Sequence, residues 1–264
     1  MKLKNLKNIE RKNKKYEEKE FFLFVIIISV VIFTSISVFA ISDDSECKDN
    51  KKIAYLTFDD GPTETTLEVL KILDEENIKA TFFVIGKLVE ENPNILKEIK
   101  EKNHSICAHT YTHNNNNYNS ADVYFNDYEK VKNVLNKNLD KKNFEFMRMP
   151  GGSSTGIPQK LTLKQIRDGL VNRKLDYVDW NVSIEDAMGI NIPVDQLISN
   201  YFKAMNSKNI DKSRIIILMH DGASNKTTPK ALGTIIKSLK EQGYEFKSLD
   251  MIDEKEREIL IEKN

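Results

Sequence analysis

Three of the chain's four histidines come after short apolar runs: His109 directly after Ser105–Ala108 and His113 four residues later, and His220 directly after Ile215–Met219. Two neighbouring carboxylates, Asp59 and Asp60, follow another such run, Ile53–Phe58, and precede Gly61-Pro62. On an extended strand, histidines four residues apart would stand about 13 Å apart and could not share an ion. On a helical turn or tight loop they come within about 6 Å. A carboxylate from a neighbouring segment, Asp60, would then complete a two-histidine, one-carboxylate set with open coordination positions, as hydrolytic zinc requires. Adjacent carboxylates repel unless a cation separates their roles, one as ligand and one as general base. Taken alone, each piece has a plainer reading. The two histidines suit an ordinary surface pair, and Asp59-Asp60 before Gly61-Pro62 suits a helix N-cap.

What must position these residues is legible as alternation. Strands are expected at Ile53–Phe58, Thr81–Ile85, Ser105–Ala108, Phe144–Met149, Tyr177–Val182, Ile215–Met219 and Glu245–Leu249. Helical spacing appears at Leu67, Leu70 and Leu73, at Ile95 and Ile99, and over 121–138, 161–173, 194–206 and 229–241. Strand–helix alternation predicts an α/β fold with a parallel sheet, here a closed or nearly closed barrel, with an open doubly wound sheet as second choice. In such a barrel the working residues gather at the C-terminal strand ends. Those ends supply Asp59 and Asp60, then His109 to His113, then Arg148-Met149-Pro150-Gly151-Gly152. The fifth leads through Trp180 to Glu185-Asp186, and the sixth gives Leu218-Met219-His220-Asp221. Gly61-Pro62 is expected to end the first strand and turn both carboxylates toward the mouth.

Lys and Arg number 40, as do Asp and Glu, but the first twenty residues hold eight cationic and four acidic side chains. The other 244 residues are therefore mildly acidic, 32 against 36, which argues against a nucleic-acid partner. Two cysteines, Cys47 and Cys107, make no disulfide framework or zinc finger, and Cys107 reads as an unpaired core residue. Residues 21–42 carry no charge and are long enough to span a bilayer. The preceding lysines put the N-terminus in the cytoplasm. The expected organisation is a cytoplasmic basic tail (1–20), a transmembrane signal-anchor helix (21–42), a polar linker (43–51) and an extracellular catalytic domain (52–264). Secretion after cleavage near Ala40 is the alternative. The expected oligomeric state is a monomer.

The ordered motifs Thr57-Phe58-Asp59-Asp60-Gly61-Pro62, His109–His113, Arg148-Met149-Pro150-Gly151-Gly152 and Leu218-Met219-His220 resemble those of the polysaccharide deacetylases, the NodB-homology or carbohydrate esterase 4 family. The resemblance spans 53 to about 250 and implies a distorted (β/α) barrel, usually of seven strands. It implies Asp59 as general base and Asp60, His109 and His113 as ligands of one divalent metal ion, zinc first, with cobalt, nickel or manganese compatible with the same ligands. It further implies that Arg148 holds Asp59 and keeps it ionised, that the Gly151 N–H serves the oxyanion, and that His220 is the general acid with Asp186 as its partner. Asp179 and Asp176 are rivals of Asp186. Leu218 and Trp180 would line the substrate pocket. The implied activity is removal of N-acetyl groups from a cell-wall glycan, foremost the GlcNAc residues of peptidoglycan. Chitin-type oligomers, poly-GlcNAc, MurNAc or O-acetyl esters are the alternatives.

The chain departs from the family where Gly151 replaces a common aromatic residue, and where Ala187 follows Asp186 in place of tryptophan. His104 reads as structural. Two other classes are distinguishable. A glycan-binding pseudoenzyme would be expected to lack Asp59 or His220. An iron oxygenase would consume oxygen, need no general acid and release no acetate.

Overall fold

The computed structural model describes residues 51–139 and 146–261. The segments 1–20 and 21–42, Cys47 and the start of the fourth expected strand lie outside the described residues. Among the described residues, no helix is long and apolar enough to cross a membrane.

The centre of the sheet is β1 (Lys52–Gly61), which pairs in parallel with β2 (Thr81–Val84) on one side and β7 (Arg214–His220) on the other. From β2 the sheet continues through β3 (Ser105–Ala108) and β4 (Phe146–Met147) to β5 (Asp176–Tyr177). From β7 it continues to β6 (Val182–Ser183), while β8 (Tyr244–Phe246) pairs with the start of β1. The expected strand Tyr177–Val182 is thus two short strands on opposite edges of the sheet. Val178 N–H bonds Met147 O, whereas Asn181 N–H bonds Ile216 O, so the chain crosses from one edge to the other between them. Tyr177 and Val182 are five residues apart and can span at most about 18 Å. A flat seven-strand sheet would separate its edges by about 29 Å. The sheet must therefore curl into a parallel α/β half-barrel whose two edges are bridged by a crossing segment.

Period two decides what lies inside. Along β1, Ala54, Leu56 and Phe58 pack in the layer that includes the helices, whereas Ile53 and Tyr55 join Phe83, Cys107, Phe146, Val178 and Ile216 in a second, inner cluster. Two residues further along the same inner rows come Thr57 and then Asp59, and likewise His109, Arg148, Trp180 and Leu218 followed by His220. The interior floor is apolar, and the layers above it set polar groups beside Trp180 and Leu218. Cys107 is free and buried on that floor, one step below His109, and its thiol is pushed up to about 12 by burial.

The helices are α1 (Glu64–Glu75), α2 (Gly86–Glu91), α3 (Pro93–Glu101), α4 (Ala121–Asn138), α5 (Lys160–Asn172), α6 (Val194–Met205), α7 (Thr228–Glu241) and α8 (Glu254–Ile261). The N-cap of α1 is Thr63, whose hydroxyl accepts from Thr65 N–H, so neither Asp59 nor Asp60 is consumed as a cap.

Candidate active site

Asp59 and Asp60 reach the same mouth by a different device from the turn expected after Phe58. The strand continues to Gly61, and the register slips: Asp59 faces Phe83, Gly61 faces Val84, and Asp60 is the extra residue of a bulge with φ 74°. Gly61 is required there, because a Cβ at this position would lie 2.3 Å from Asp221 Oδ2.

Arg148 is fully buried and ties the inner wall together. Its Nη1 donates to Asp59 Oδ1 at 2.9 Å and to Thr57 Oγ1 at 2.8 Å. Nε donates to Val178 O at 2.9 Å and Nη2 to Asp179 O at 3.2 Å. The guanidinium lies 4.2 Å from the Phe83 ring centre and 5.6 Å from that of Trp180. The expected Arg148–Asp59 pair therefore forms, but it does not set the balance at Asp59. Burial raises that carboxyl's pKa, with Arg148 pulling the other way. A base with raised proton affinity is better matched to neutral pH.

Asp60, His109 and His113 converge, with donor atoms within 4.8 Å of one another. Asp60 Oδ1 is buried without a hydrogen-bond partner and stands 3.6 Å from His109 Nε2 and 3.3 Å from His113 Nε2. His109 Nδ1 lies 2.9 Å from Arg148 O. A carbonyl can only accept, so Nδ1 carries the proton and the Nε2 lone pair faces the carboxylate. Burial drives His109 down to about 3 against the pull of Asp60, which keeps it neutral. Acceptors turned toward one another are unfavourable without a cation between them, so the three side chains fit a divalent metal.

His220 sits opposite Asp59 in the β1–β7 register. Its Nδ1 lies 2.7 Å from Asp186 Oδ1, and its backbone N–H donates to Asp186 Oδ2 at 2.8 Å. Asp186 also receives Thr228 Oγ1 at 2.7 Å, and Asn225 Nδ2 donates to its backbone oxygen at 3.0 Å. Burial pulls the His220 imidazole down, but the bond and charge of Asp186, helped by Asp59 and Asp60, outweigh it and carry the pKa to about 9. The rival carboxylates are engaged elsewhere: Asp179 accepts from Ser153 N and Oγ, and Asp176 from Arg257.

Asp59, Asp60, His109, His113 and His220 open onto a cleft of about 320 Å³ that is also lined by Gly151, Trp180, Ser183, Glu185, Ala187, Met188 and Leu218. Gly151 has φ 76°, a left-handed value that favours glycine, and a Cβ there would meet Thr155 Oγ1 at 2.7 Å. Met188, 80 % exposed, stands beside Ala187 on the open rim. His104 is buried away from the cleft set: its Nδ1 accepts from Ala80 N–H, and burial lowers it to about 4. Sequence reasoning missed Thr57, Thr228 and Asn225. Thr57 had a signal, since it lies two residues before Asp59 on the same strand face.

A family model for polysaccharide deacetylase matches residues 46–166. The chain is 33 % identical over 198 residues to a peptidoglycan-N-acetylglucosamine deacetylase of Bacillus cereus, covering 75 % of this chain and 69 % of that protein. A second relative, a peptidoglycan-N-acetylglucosamine deacetylase of Listeria monocytogenes, is 32 % identical over 78 % of this chain but only 39 % of its own length. Among solved structures, the catalytic domain of a peptidoglycan N-acetylglucosamine deacetylase from Eubacterium rectale superposes with a TM-score of 0.67 at 32 % identity, covering 75 % of this chain and 88 % of that one.

Proposed function

The chain belongs to the polysaccharide deacetylase family, and on that premise we propose that it hydrolyses the N-acetyl amides of peptidoglycan GlcNAc residues at the cleft between Asp59 and His220. The substrate reading is supported by the names of the relatives above. The observation that carries the chemistry is a paired register: Asp59 and His220 face each other on neighbouring strands, each with its own buried partner, Arg148 and Asp186.

Asp60, His109 and His113 would hold the metal, zinc by preference, and a cation there would supply Lewis-acid polarisation of a water and of the amide carbonyl. Asp59 takes the proton from the attacking water, and Arg148 fixes the carboxylate's direction. The water oxygen bonds to the carbonyl carbon, and the Gly151 N–H is the backbone donor for the developing oxyanion. His220, protonated at neutral pH, gives its Nε2 proton to the leaving nitrogen while Nδ1–H stays on Asp186. The C–N bond breaks, and acetate and a free amine leave. Leu218 and Trp180 wall the space for the acetyl methyl.

We also infer that the domain works outside the cytoplasmic membrane, tethered by residues 21–42; the uncharged run and the lysines before it support this reading.

The test is acetate release from purified peptidoglycan and, separately, from GlcNAc oligomers by zinc-loaded protein, with product masses measured. Asp59→Asn is the control. Its release is expected to fall by roughly 10²–10⁴-fold, with zinc content unchanged. Acetate from oligomers alone would redirect the substrate reading to chitin-type glycans, and undiminished release by Asp59→Asn would sink the base assignment.

A further inference from the structure

The loop carrying both histidines is held in a shape it would not adopt by itself. Thr110 and His113 have φ of 70° and 54°, left-handed values disfavoured for residues with a Cβ. On one side, the backbone N–H groups of Gly86 and Lys87, opening α2, donate to the carbonyls of Thr110 and Tyr111, both at 3.0 Å. On the other side stands Asp127, from the middle of α4, 5 % exposed and absent from the cleft lining. Its Oδ2 receives the N–H of Tyr111 at 2.6 Å and, more weakly, that of Thr112 at 3.4 Å, while Oδ1 receives Thr112 Oγ1 at 2.7 Å. Successive amides converging on one carboxylate oxygen form a small anion-binding nest, and charge-assisted bonds of this kind compensate for withdrawing the carboxylate from water.

We propose that Asp127 is a positioning residue for the metal site. By gathering the amides of residues 111 and 112, it keeps the loop in the one shape that brings the rings of His109 and His113 to a centroid distance of 5.0 Å. His109 has an independent hold, at the end of β3 and on Arg148 O. His113 lies at the far end of the loop, its backbone N–H bonded to Thr110 Oγ1, so it is the ligand that depends on Asp127. The proposal rests on the reading of Asp60, His109 and His113 as metal ligands.

The experiment measures zinc affinity by chelator competition on the full-length, detergent-solubilised protein, with melting temperature of the metal-free form alongside. Asp127→Ala is expected to bind zinc about 10- to 100-fold more weakly, the range seen when a group supporting a metal ligand is lost. Asp127→Asn can aim its oxygen at the two amides and its NH₂ at the Thr112 hydroxyl, so its affinity is expected within roughly threefold of wild type. If Asp127→Ala does not fold, Thr112→Val takes its place; it removes the hydroxyl that donates to Asp127 Oδ1 and accepts from Asn117 Nδ2 at 3.0 Å, and it is expected to weaken zinc by roughly three- to tenfold while the metal-free protein still melts cooperatively. Wild-type affinity in a folded Asp127→Ala overturns the proposal, as do equal losses in the Ala and Asn variants or an unaffected Thr112→Val. A wild-type protein that binds no zinc overturns the metal-site reading itself, a result distinguishable from all of these.

Discussion

At the scale of single residues, the site works by giving two facing groups opposite surroundings. Asp59 is buried against a guanidinium, and the partly buried His220 lies against a buried carboxylate. The second pairing has a consequence in pH. With its pKa near 9, His220 keeps its proton through neutrality and loses it only as pH rises through that value. The pair therefore also stabilises the fold fully below the ordinary imidazole value of 6.5, and that contribution disappears as pH climbs through about 9. Asp186→Asn removes the charge but leaves the burial that pulls the imidazole down. The alkaline limb of kcat/KM is then expected to move from near 9 toward 6.5 or below; a limb that stays in place would separate His220 from the acid role.

At the scale of elements, much was legible in the sequence because period is legible. Helix α4 over 121–138 and strand β3 over 105–108 coincide with the expected elements, since each carries a long or clean apolar pattern. Placing His109, Arg148 and His220 at strand ends followed from the same logic. The division of Tyr177–Val182 did not, because its pairing changes from β4 to β7 within four residues, a tertiary choice that leaves no local period. Nor did the Asp60 bulge. Left-handed backbone at a non-glycine residue, φ 74° at Asp60, is set by the surrounding fold and leaves no pattern in the local sequence. Asp127 was invisible because an acid on a helix normally reads as a solvated face. The bulge makes its own prediction. Gly61→Ala would push a methyl into the buried Asp221 carboxylate, and a loss of about 1–3 kcal/mol is expected in urea denaturation. A variant as stable as wild type would mean that β1 and the Asp221 loop part more easily than their packing implies.

At the scale of the whole molecule, the sequence combines a basic leader, an uncharged run and a mildly acidic remainder. If the run is an uncleaved anchor, full-length protein should stay in the membrane pellet after alkaline carbonate washing, while a chain beginning at Asp43 should be found in the supernatant. Full-length chain in the supernatant, shortened near Ala40, would replace tethering with secretion. Arg148 raises a matter of time rather than place. The residues it joins are distant along the chain, Thr57 by 91 positions and Val178 by 30, and closing long loops is slow. Helices form from local contacts, whereas Asp59 acquires its partner only when three remote stretches of backbone meet. On refolding from urea, helical signal is thus expected to return before acetate release, and simultaneous recovery would count against this order. On that order competence would be the final event in the chain's maturation, because the group that holds the Asp59 carboxylate is also the one that waits for the wall to close.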